Sequence, residues 1–366
     1  MPTPVPTPVP TPVPTPVPTL VPVIQNLSLP DALELIPDTP VVRAAGVWYN
    51  NYALAARAYG LTSTLAITSP RIQDYFHAIL PLRPGAETGV ADLATGRWRL
   101  AYGYDLFQIA GDIYSRSGDS YICKGNVAGN YPLAVAIGRL DATAIDQALV
   151  AGNYLITHTV GGGAPLFVRR PVLLNVNARG AVMNALLPSQ GRLVAGVRPC
   201  GVAKAAQAID ADAASLGRDG GYGALATAIE ASGSVQAAYV AANVAPPPFA
   251  LAPFPPPQEG HRGPSLHPFG LYAVAYQEPR PNERYVVLGL GYARHSDARA
   301  DGPTLRARLR RETLSIYGAP WGQLVSVATS TVRGNVLTLR LRLRPTTSPT
   351  LWQDVVAEHA LSLLSK

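Results

Sequence analysis

Arginine is concentrated towards the end of the sequence. Residues 294–344 contain ten arginines against three acidic residues, an excess equal to the +7 of the entire chain. Leucine and arginine alternate over 339–344, a pattern that places the arginines of a strand on one face. A guanidinium binds carboxylate or phosphate through paired N–H donors. We therefore predict an anion-binding face, with a solvated polar surface as the alternative, and its candidate residues are Arg306, Arg310, Arg340, Arg342 and Arg344.

Histidine spacing does not predict a metal site. No HExxH motif is present, and no two histidines have the spacing of a helical zinc pair. His261 and His267 lie six residues apart in a Pro-rich segment, where we interpret them as solvated loop residues. We therefore expect neither a metal nor a cofactor. The other histidines are His77, His158, His295 and His359.

Serine and glycine motifs do not predict catalysis either. Gly118-Asp119-Ser120-Tyr121 resembles the opening of one hydrolase class, but it falls mid-chain and no Asp-x-x-His partner follows near the C-terminus. We predict a turn there. The glycines of 217–223 lie between two predicted helices and lack the Lys and Ser/Thr of a phosphate loop. We interpret them as a connection between helices.

The carboxylate pairs in the sequence do not predict a catalytic site either. Asp210 and Asp212 are two residues apart in a predicted helix and so point to different sides. Asp105 and Asp112 have no nearby residue in sequence that completes a site. We therefore predict no catalytic residues and expect that the protein is not an enzyme.

The chain has two cysteines, Cys123 and Cys200. In an exported protein such a pair could form a disulfide, which in the chain-entropy model would contribute roughly 4 kcal/mol for so long a loop. Two buried free thiols are the alternative.

The first residues form a repeat. Residues 2–19 repeat Pro-Thr-Pro-Val, a composition typical of an extended polyproline II spacer of about 3.1 Å per residue. This stalk before an Ala- and Arg-rich region resembles uncharacterised exported or lipoprotein-type bacterial proteins. The resemblance implies an extracytoplasmic protein, tethered to membrane or wall through a leader missing from this sequence. A cytoplasmic protein with a disordered tail is the alternative.

Composition and motif content argue against a transmembrane segment and against nucleic acid as a partner. Only 14% of residues are charged and 48% are hydrophobic, yet no run of about 20 apolar residues occurs, so no transmembrane segment is predicted. Nucleic acid is not expected as a partner, because neither aromatic interleaving nor a nucleic-acid motif accompanies the arginines.

The patterns predict an α+β fold with mostly antiparallel sheets, helices covering one face, and a disordered polyproline tether in front. Recurring strand-strand-helix-strand-strand order suggests the hypothesis of an internal duplication. The predicted helices are 47–59, 71–80, 141–152, 202–216, 222–231, 303–317 and 350–365. The predicted strands are 97–104, 133–138, 154–159, 166–169, 172–177, 192–197, 234–241, 271–277, 285–292, 324–331 and 336–343.

We predict a tether over 1–24, an α+β lobe over 25–245, a Pro-rich loop or linker over 246–268, and a second α+β lobe over 269–366. The predicted function is that of an exported, surface-tethered, non-catalytic protein whose partner is an anionic envelope polymer, lipid head groups or another protein. An extracytoplasmic hydrolase and a structural spacer domain are the alternatives.

Overall fold

The computed structural model describes residues 27–61, 69–88, 96–115, 132–160, 164–169, 183–210, 213–243, 265–314 and 317–357. Twelve strands of this part form one sheet in which every pairing is antiparallel, and β11 and β12 form a separate two-stranded ribbon. The strands are β1 Val47–Asn51, β2 Ile109–Ser115, β3 Leu133–Gly138, β4 Tyr154–Val160, β5 Ala164–Arg169, β6 Ala185–Ser189, β7 Arg192–Gly196, β8 Ala237–Ala242, β9 Phe269–Gln277, β10 Tyr285–Tyr292, β11 Thr313–Leu314, β12 Ala319–Pro320, β13 Val325–Arg333 and β14 Val336–Leu343.

The predicted α+β class is confirmed. Helices lie on both faces of the sheet, however, so the expectation that they cover only one face was wrong. The helices are α1 Leu29–Glu34, α2 Pro40–Ala45, α3 Tyr52–Ala58, α4 Ile72–Ile79, α5 Arg97–Tyr102, α6 Ala142–Ala151, α7 Pro199–Ile209, α8 Gly220–Glu230, α9 His295–Arg311, α10 Trp321–Leu324 and α11 Leu351–Ala357. Two separate apolar cores result, one on each face. We call them the α9-side core, which includes α3 to α6 and α9 to α11, and the α8-side core, which includes α1, α2, α7 and α8.

Alternate residues of each strand supply the two cores. In β1, Trp48 belongs to the α9-side core, whereas Val47 and Tyr49 belong to the α8-side core. The ring of Trp48 lies 4.8 Å from that of Tyr239 and 5.7 Å from that of Trp352, measured between centroids. A central strand buried on both faces therefore holds α11 against the sheet.

The order of strands is β13-β14-β10-β9-β8-β1-β2-β3-β7-β6-β5-β4. Outwards from the centre of the sheet, the strands of the two halves correspond in pairs: β8 to β1, β9 to β2, β10 to β3, β14 to β5 and β13 to β4. The hairpin β6–β7 is inserted between β3 and β5. Helix α9 follows β10 as α6 follows β3, and both lie in the α9-side core. This correspondence supports the hypothesis of internal duplication, with β2 in place of the predicted strand 97–104.

The two predicted lobes meet within this sheet. Strand β8 comes from the first and β9 from the second, and they pair from Ala237↔Tyr276 to Ala242↔Leu271. Most of the predicted linker 246–268 and all of the predicted strand 172–177 lie outside the described residues. Whether the two segments fold independently stays a prediction.

Several predicted elements differ from the structure. The predicted helix 47–59 begins as strand β1 and becomes helical only at Tyr52. The predicted strand 97–104 is helix α5, which lies between Gly96 and Gly103, both in the left-handed conformation. Helix α9 begins at His295, so Pro303 stands inside it and not in its first turn.

Other elements are confirmed closely. Strand β3 and helix α6 match their predictions, and the Asp141 side chain accepts from the backbone N–H groups of Thr143 and Ala144 as the predicted N-cap. The last two hairpins, β9–β10 and β13–β14, lie where the sequence predicts them.

Candidate binding sites

The predicted arginine set is divided by the sheet. In β14, Leu339 and Leu341 pack in the α9-side core with Leu305 of α9. The intervening Arg340 and Arg342 therefore point to the opposite face, towards the side of α8. Arg306 and Arg310 lie on α9 itself, so the five residues do not form one continuous face.

Two arginines of this set have partners within the protein. Arg340 donates from Nε to Gln277 Oε1 over 2.9 Å, and its guanidinium carbon lies 3.5 Å from the ring centroid of Tyr285. Arg344 donates from Nε and Nη2 to the carbonyl oxygen of Gly322. Arg342 is exposed. These contacts stabilise the β13–β14 end of the sheet.

Helix α9 presents a different arginine stripe to solvent. Its buried side includes Ala298, Leu305 and Leu309. Its exposed side carries Arg299, Pro303, Arg306 and Arg310, which follow the 4-3-4 spacing of one helical face. We call Arg299, Arg306 and Arg310 the α9 arginine face. Arg299 was missed as a site residue, although its spacing from Arg306 and Arg310 becomes informative once the helix begins at His295.

The α9 arginine face is not neutralised within the described part of the chain. None of its three arginines forms a salt bridge there, whereas the buried Arg308 lies 3.9 Å from Glu312. From Arg299 to Arg310 the face spans about 16 Å at 1.5 Å per residue. Three exposed guanidinium groups along this length create a local positive field.

A crevice of about 290 Å³ opens at the turn between β9 and β10. Its floor is Glu278, which is only 1% exposed. The lining residues are Tyr59, His77, Leu80, Pro81, Glu278, Asn282, Arg284 and Pro349. They come from four separate segments of the chain, and no sequence motif links them.

Four donors surround the Glu278 carboxylate. Oε1 accepts from the Tyr59 hydroxyl at 3.3 Å, from the backbone N–H of Asn282 at 2.8 Å and from Arg284 Nε at 3.3 Å. Oε2 accepts from the Tyr276 hydroxyl at 2.8 Å. Burial, together with the nearby Glu278 charge, raises the pKa of Tyr59, so its hydroxyl keeps its proton. All four of these donors belong to the protein, so the Glu278 side chain is held in place by contacts within the fold.

Asp112, for which sequence offered no partner, lies at the centre of a buried polar cluster. Its Oδ1 accepts from Asn50 Nδ2 at 2.6 Å, and its Oδ2 accepts from the Tyr52 hydroxyl at 2.7 Å and from the Gly85 backbone N–H at 3.3 Å. The Glu87 carboxyl is close enough to Asp112 for the two side chains to share a hydrogen bond. A bond between two carboxyl groups requires that one of them is protonated.

Burial sets the protonation of this pair. Desolvation raises the pKa of Glu87 well above its ordinary value, and the neighbouring Asp112 charge adds to the increase. Burial also raises the pKa of Asp112, to about 6, although Asn50, Tyr52 and Gly85 donate to its charged form. Asp112 is therefore the first to ionise, and Glu87 holds the shared proton. The cluster is enclosed, so we assign it to stability and not to ligand binding.

His267 is an exposed loop residue, as its sequence context suggested, but it is also held by a buried carboxylate. Asp301, which is 1% exposed, accepts from the His267 backbone N–H at 2.8 Å and bonds to its ring Nδ1 at 2.7 Å. The hydrogen bond to Asp301 raises the pKa of His267. The ring itself is half exposed, and His261 lies outside the described residues.

The remaining predictions have mixed outcomes. Of the predicted connection 217–223, only residues up to Asp219 lie between α7 and α8, because Gly220, Gly221 and Gly223 belong to the first turn of α8. Asp219 caps α8 by accepting from the backbone N–H groups of Gly221 and Tyr222. Cys200 lies in α7, but Cys123 and Ser120 lie outside the described residues, so the disulfide and the turn stay predictions. Within the described ranges no three His, Cys, Asp or Glu side chains are placed to hold a metal ion.

No family model matches the chain, and no curated protein matches it. Among solved structures it is similar to a crystal structure of TP0453, determined in crystal form IV, over 89% of this chain and 96% of that one. The two are 10% identical and superpose with a TM-score of 0.40, too low to support an argument about fold or function. No helix in the described segments is both long and apolar enough to cross a membrane.

Proposed function

We propose that this chain is an exported, tethered, non-catalytic protein that binds a phosphate-bearing anionic component of the cell envelope. The observation that carries the proposal is the α9 arginine face. Its three guanidinium groups are exposed, lie on one side of one helix and have no acidic partner among the described residues.

The spacing of these arginines suits a repeating anion better than a single small one. Arg299 and Arg306 are about 10 Å apart along the helix axis, and Arg306 and Arg310 about 6 Å apart. Separate guanidinium groups at such distances contact successive phosphates of a polymer or a lipid surface, and each offers a forked pair of donors. Arg310 also lies at the helix C-terminus, where the helix dipole favours a cation.

The test is binding to vesicles with and without phosphatidylglycerol, with polyphosphate as a soluble phosphate polymer. We expect binding to the anionic probes only, and weaker binding between about 50 and about 300 mM NaCl, because salt screens exposed charges. The triple variant Arg299→Gln, Arg306→Gln, Arg310→Gln should lose about hundredfold in affinity, since each basic residue near an anionic surface contributes about 1 kcal/mol. Vesicle binding alone would assign a membrane surface, and polyphosphate binding alone a polymer.

A matched control removes three exposed arginines elsewhere. The triple variant Arg57→Gln, Arg218→Gln, Arg280→Gln lowers the net charge equally and should retain most of the binding. If both triple variants lose the same affinity, binding depends on overall charge alone and the assignment to α9 is wrong. Loss on Arg342→Gln alone would move the site to the opposite face of the sheet.

The pair His267–Asp301 favours a second candidate, an extracytoplasmic hydrolase. A buried carboxylate that holds Nδ1 of an exposed imidazole leaves Nε2 as a proton acceptor. No Ser or Cys side chain bonds to this ring among the described residues, so water would be the nucleophile. Turnover of p-nitrophenyl esters that His267→Gln abolishes would support this function, and an unchanged background rate would count against it.

A further inference from the structure

The crevice above Glu278 has a chemistry distinct from that of the α9 arginine face. Its apolar wall is formed by Leu80, Pro81 and Pro349. Leu80 is 57% exposed, so its side chain is accessible to a molecule in the crevice. Its polar wall is formed by His77, Asn282 and Arg284. Ligand sites typically combine an apolar concave wall with a few convergent polar groups.

The free hydrogen-bonding groups of this crevice are mostly donors. The Glu278 carboxylate already accepts from four groups, and Asn282 Oδ1 accepts from Arg284 Nη2 at 2.9 Å. The carbonyl oxygen of Pro81 is also occupied, by the Trp352 indole N–H and Gln353 Nε2. By contrast Arg284 Nη1, Asn282 Nδ2 and the His77 ring have no partner among the described residues. A ligand must therefore supply oxygen acceptors.

Charge points to the same class of ligand. Arg284 is held in place by Glu278 through Nε, which leaves its Nη1 side available. A guanidinium fixed in this way is preorganised for a carboxylate, because its orientation is already determined. The crevice walls are also fixed, since Trp352 and Gln353 of α11 bond to the carbonyls of Pro81 and Leu82.

From the excess of donors, the preorganised Arg284 and the exposed Leu80 beside it, we infer that this crevice binds a small organic carboxylate with an apolar body. The carboxylate meets Arg284, Asn282 and His77, and the apolar body lies along Leu80, Pro81 and Pro349. A volume of about 290 Å³ limits the ligand to a small molecule. This site goes beyond the proposed function and does not depend on it.

Isothermal titration of the full chain with octanoate tests the inference. Octanol keeps the apolar body without the anion, and acetate keeps the anion without the body. We expect saturable binding of octanoate, with both comparison compounds weaker by about tenfold or more, because octanol lacks the charged acceptor and acetate lacks the apolar body. Absence of saturable binding, or octanol binding as tightly as octanoate, would overturn the inference.

Two variants locate the site. Arg284→Lys keeps a positive charge beside Glu278 and removes the forked donor, so we expect about tenfold weaker octanoate binding. Leu80→Ser shortens the apolar wall and should weaken binding about threefold or more. Leu100→Ser is the matched control, since Leu100 is 84% exposed on α5 and does not line the crevice.

The thermal unfolding midpoint of each variant checks that it folds, and Leu80→Ser, at an exposed position, keeps the test usable if Arg284→Lys does not fold. If Leu100→Ser weakens binding as much as Leu80→Ser, the site is not this crevice. The triple α9 variant should bind octanoate normally. Loss of octanoate binding in that variant alone would assign the effect to the α9 arginine face.

Discussion

Tyr52 donates its hydroxyl hydrogen to Asp112 Oδ2 over 2.7 Å, and both side chains are buried. The bond joins α3 to β2, and the same carboxylate accepts from Gly85 and bonds to Glu87. Two carboxyl groups enclosed together make the stability of this part of the protein depend on pH.

The first prediction concerns Glu87. Its folded pKa is raised well above the unfolded value, so the protonated form stabilises the folded state at low pH and this contribution is lost as pH rises. Asp112, with a folded pKa of about 6, acts in the same direction. Glu87→Gln keeps a donor towards Asp112 without a charge. Urea unfolding should find it close to wild type near pH 5 and more stable than wild type near pH 8.

The variant Asp112→Asn tests the same buried cluster by changing its hydrogen-bond acceptor. Its amide would present N–H groups to Asn50, Tyr52 or Gly85, which are already donors, so we expect a loss of about 2–4 kcal/mol at all pH values. The exposed Glu34→Gln should change neither the stability nor its pH dependence. If Glu87→Gln shows the same pH dependence as wild type, Glu87 is not the proton carrier.

The second prediction concerns His267. Because Asp301 raises the pKa of His267, the charged imidazole stabilises the folded state below the unfolded pKa, and this contribution is lost as pH rises through the folded pKa. Asp301→Asn should lower the pKa of His267 towards the ordinary histidine value of about 6.5. Proton NMR titration of the ring measures it directly. An unchanged pKa in the variant would contradict the pairing.

The third prediction concerns Gly138 at the end of β3. A Cβ added there would lie 2.0 Å from the carbonyl oxygen of Gln108 and 2.8 Å from the backbone nitrogen of Ala110. Both are backbone atoms and cannot move aside as a side chain would, so Gly138→Ala should destabilise the protein by about 2–3 kcal/mol. Gly270→Ala, which has open space around its added carbon, is the control. Denaturant unfolding of the two variants compares them.

The fourth prediction concerns the cysteines. If Cys123 and Cys200 are joined, peptide mapping of protein made in an oxidising compartment should yield one linked peptide that reduction separates. Reduction should also lower the thermal unfolding midpoint, because the long loop would regain entropy in the unfolded chain. Two freely alkylated thiols under non-reducing conditions would exclude the bond.

Local signals predicted some elements well. Strand β3 is a short apolar run followed directly by the Asp141 cap of α6, so turn and helix signals agree there. Strand β1 could not be predicted in this way. All five of its residues are buried, and a strand enclosed on both faces shows no alternation of apolar and polar residues. Its aromatic residues continue into α3 and so resemble a single helical stripe.

In other elements, tertiary packing produces a secondary structure different from the one that local residue propensity favours. The aromatic residues Trp98 and Tyr102 favour a strand locally, but in α5 they pack on each other at 4.4 Å between ring centroids. The candidate sites show the same limit. Arg306 and Arg310 were identified from charge alone, whereas the Glu278 crevice and the pairing of Asp301 with His267 depend on contacts between distant segments that spacing does not encode.

The chain enters the fold through α1, on the α8 side of the sheet, whereas the α9 arginine face lies on the other side. Among the described residues, the first helix therefore lies on one face of the sheet and the α9 arginine face on the other. A molecule anchored through its first residues would turn its arginines away from its own anchor. On the function proposed above, its anchor and its arginines would therefore contact two different layers of the envelope.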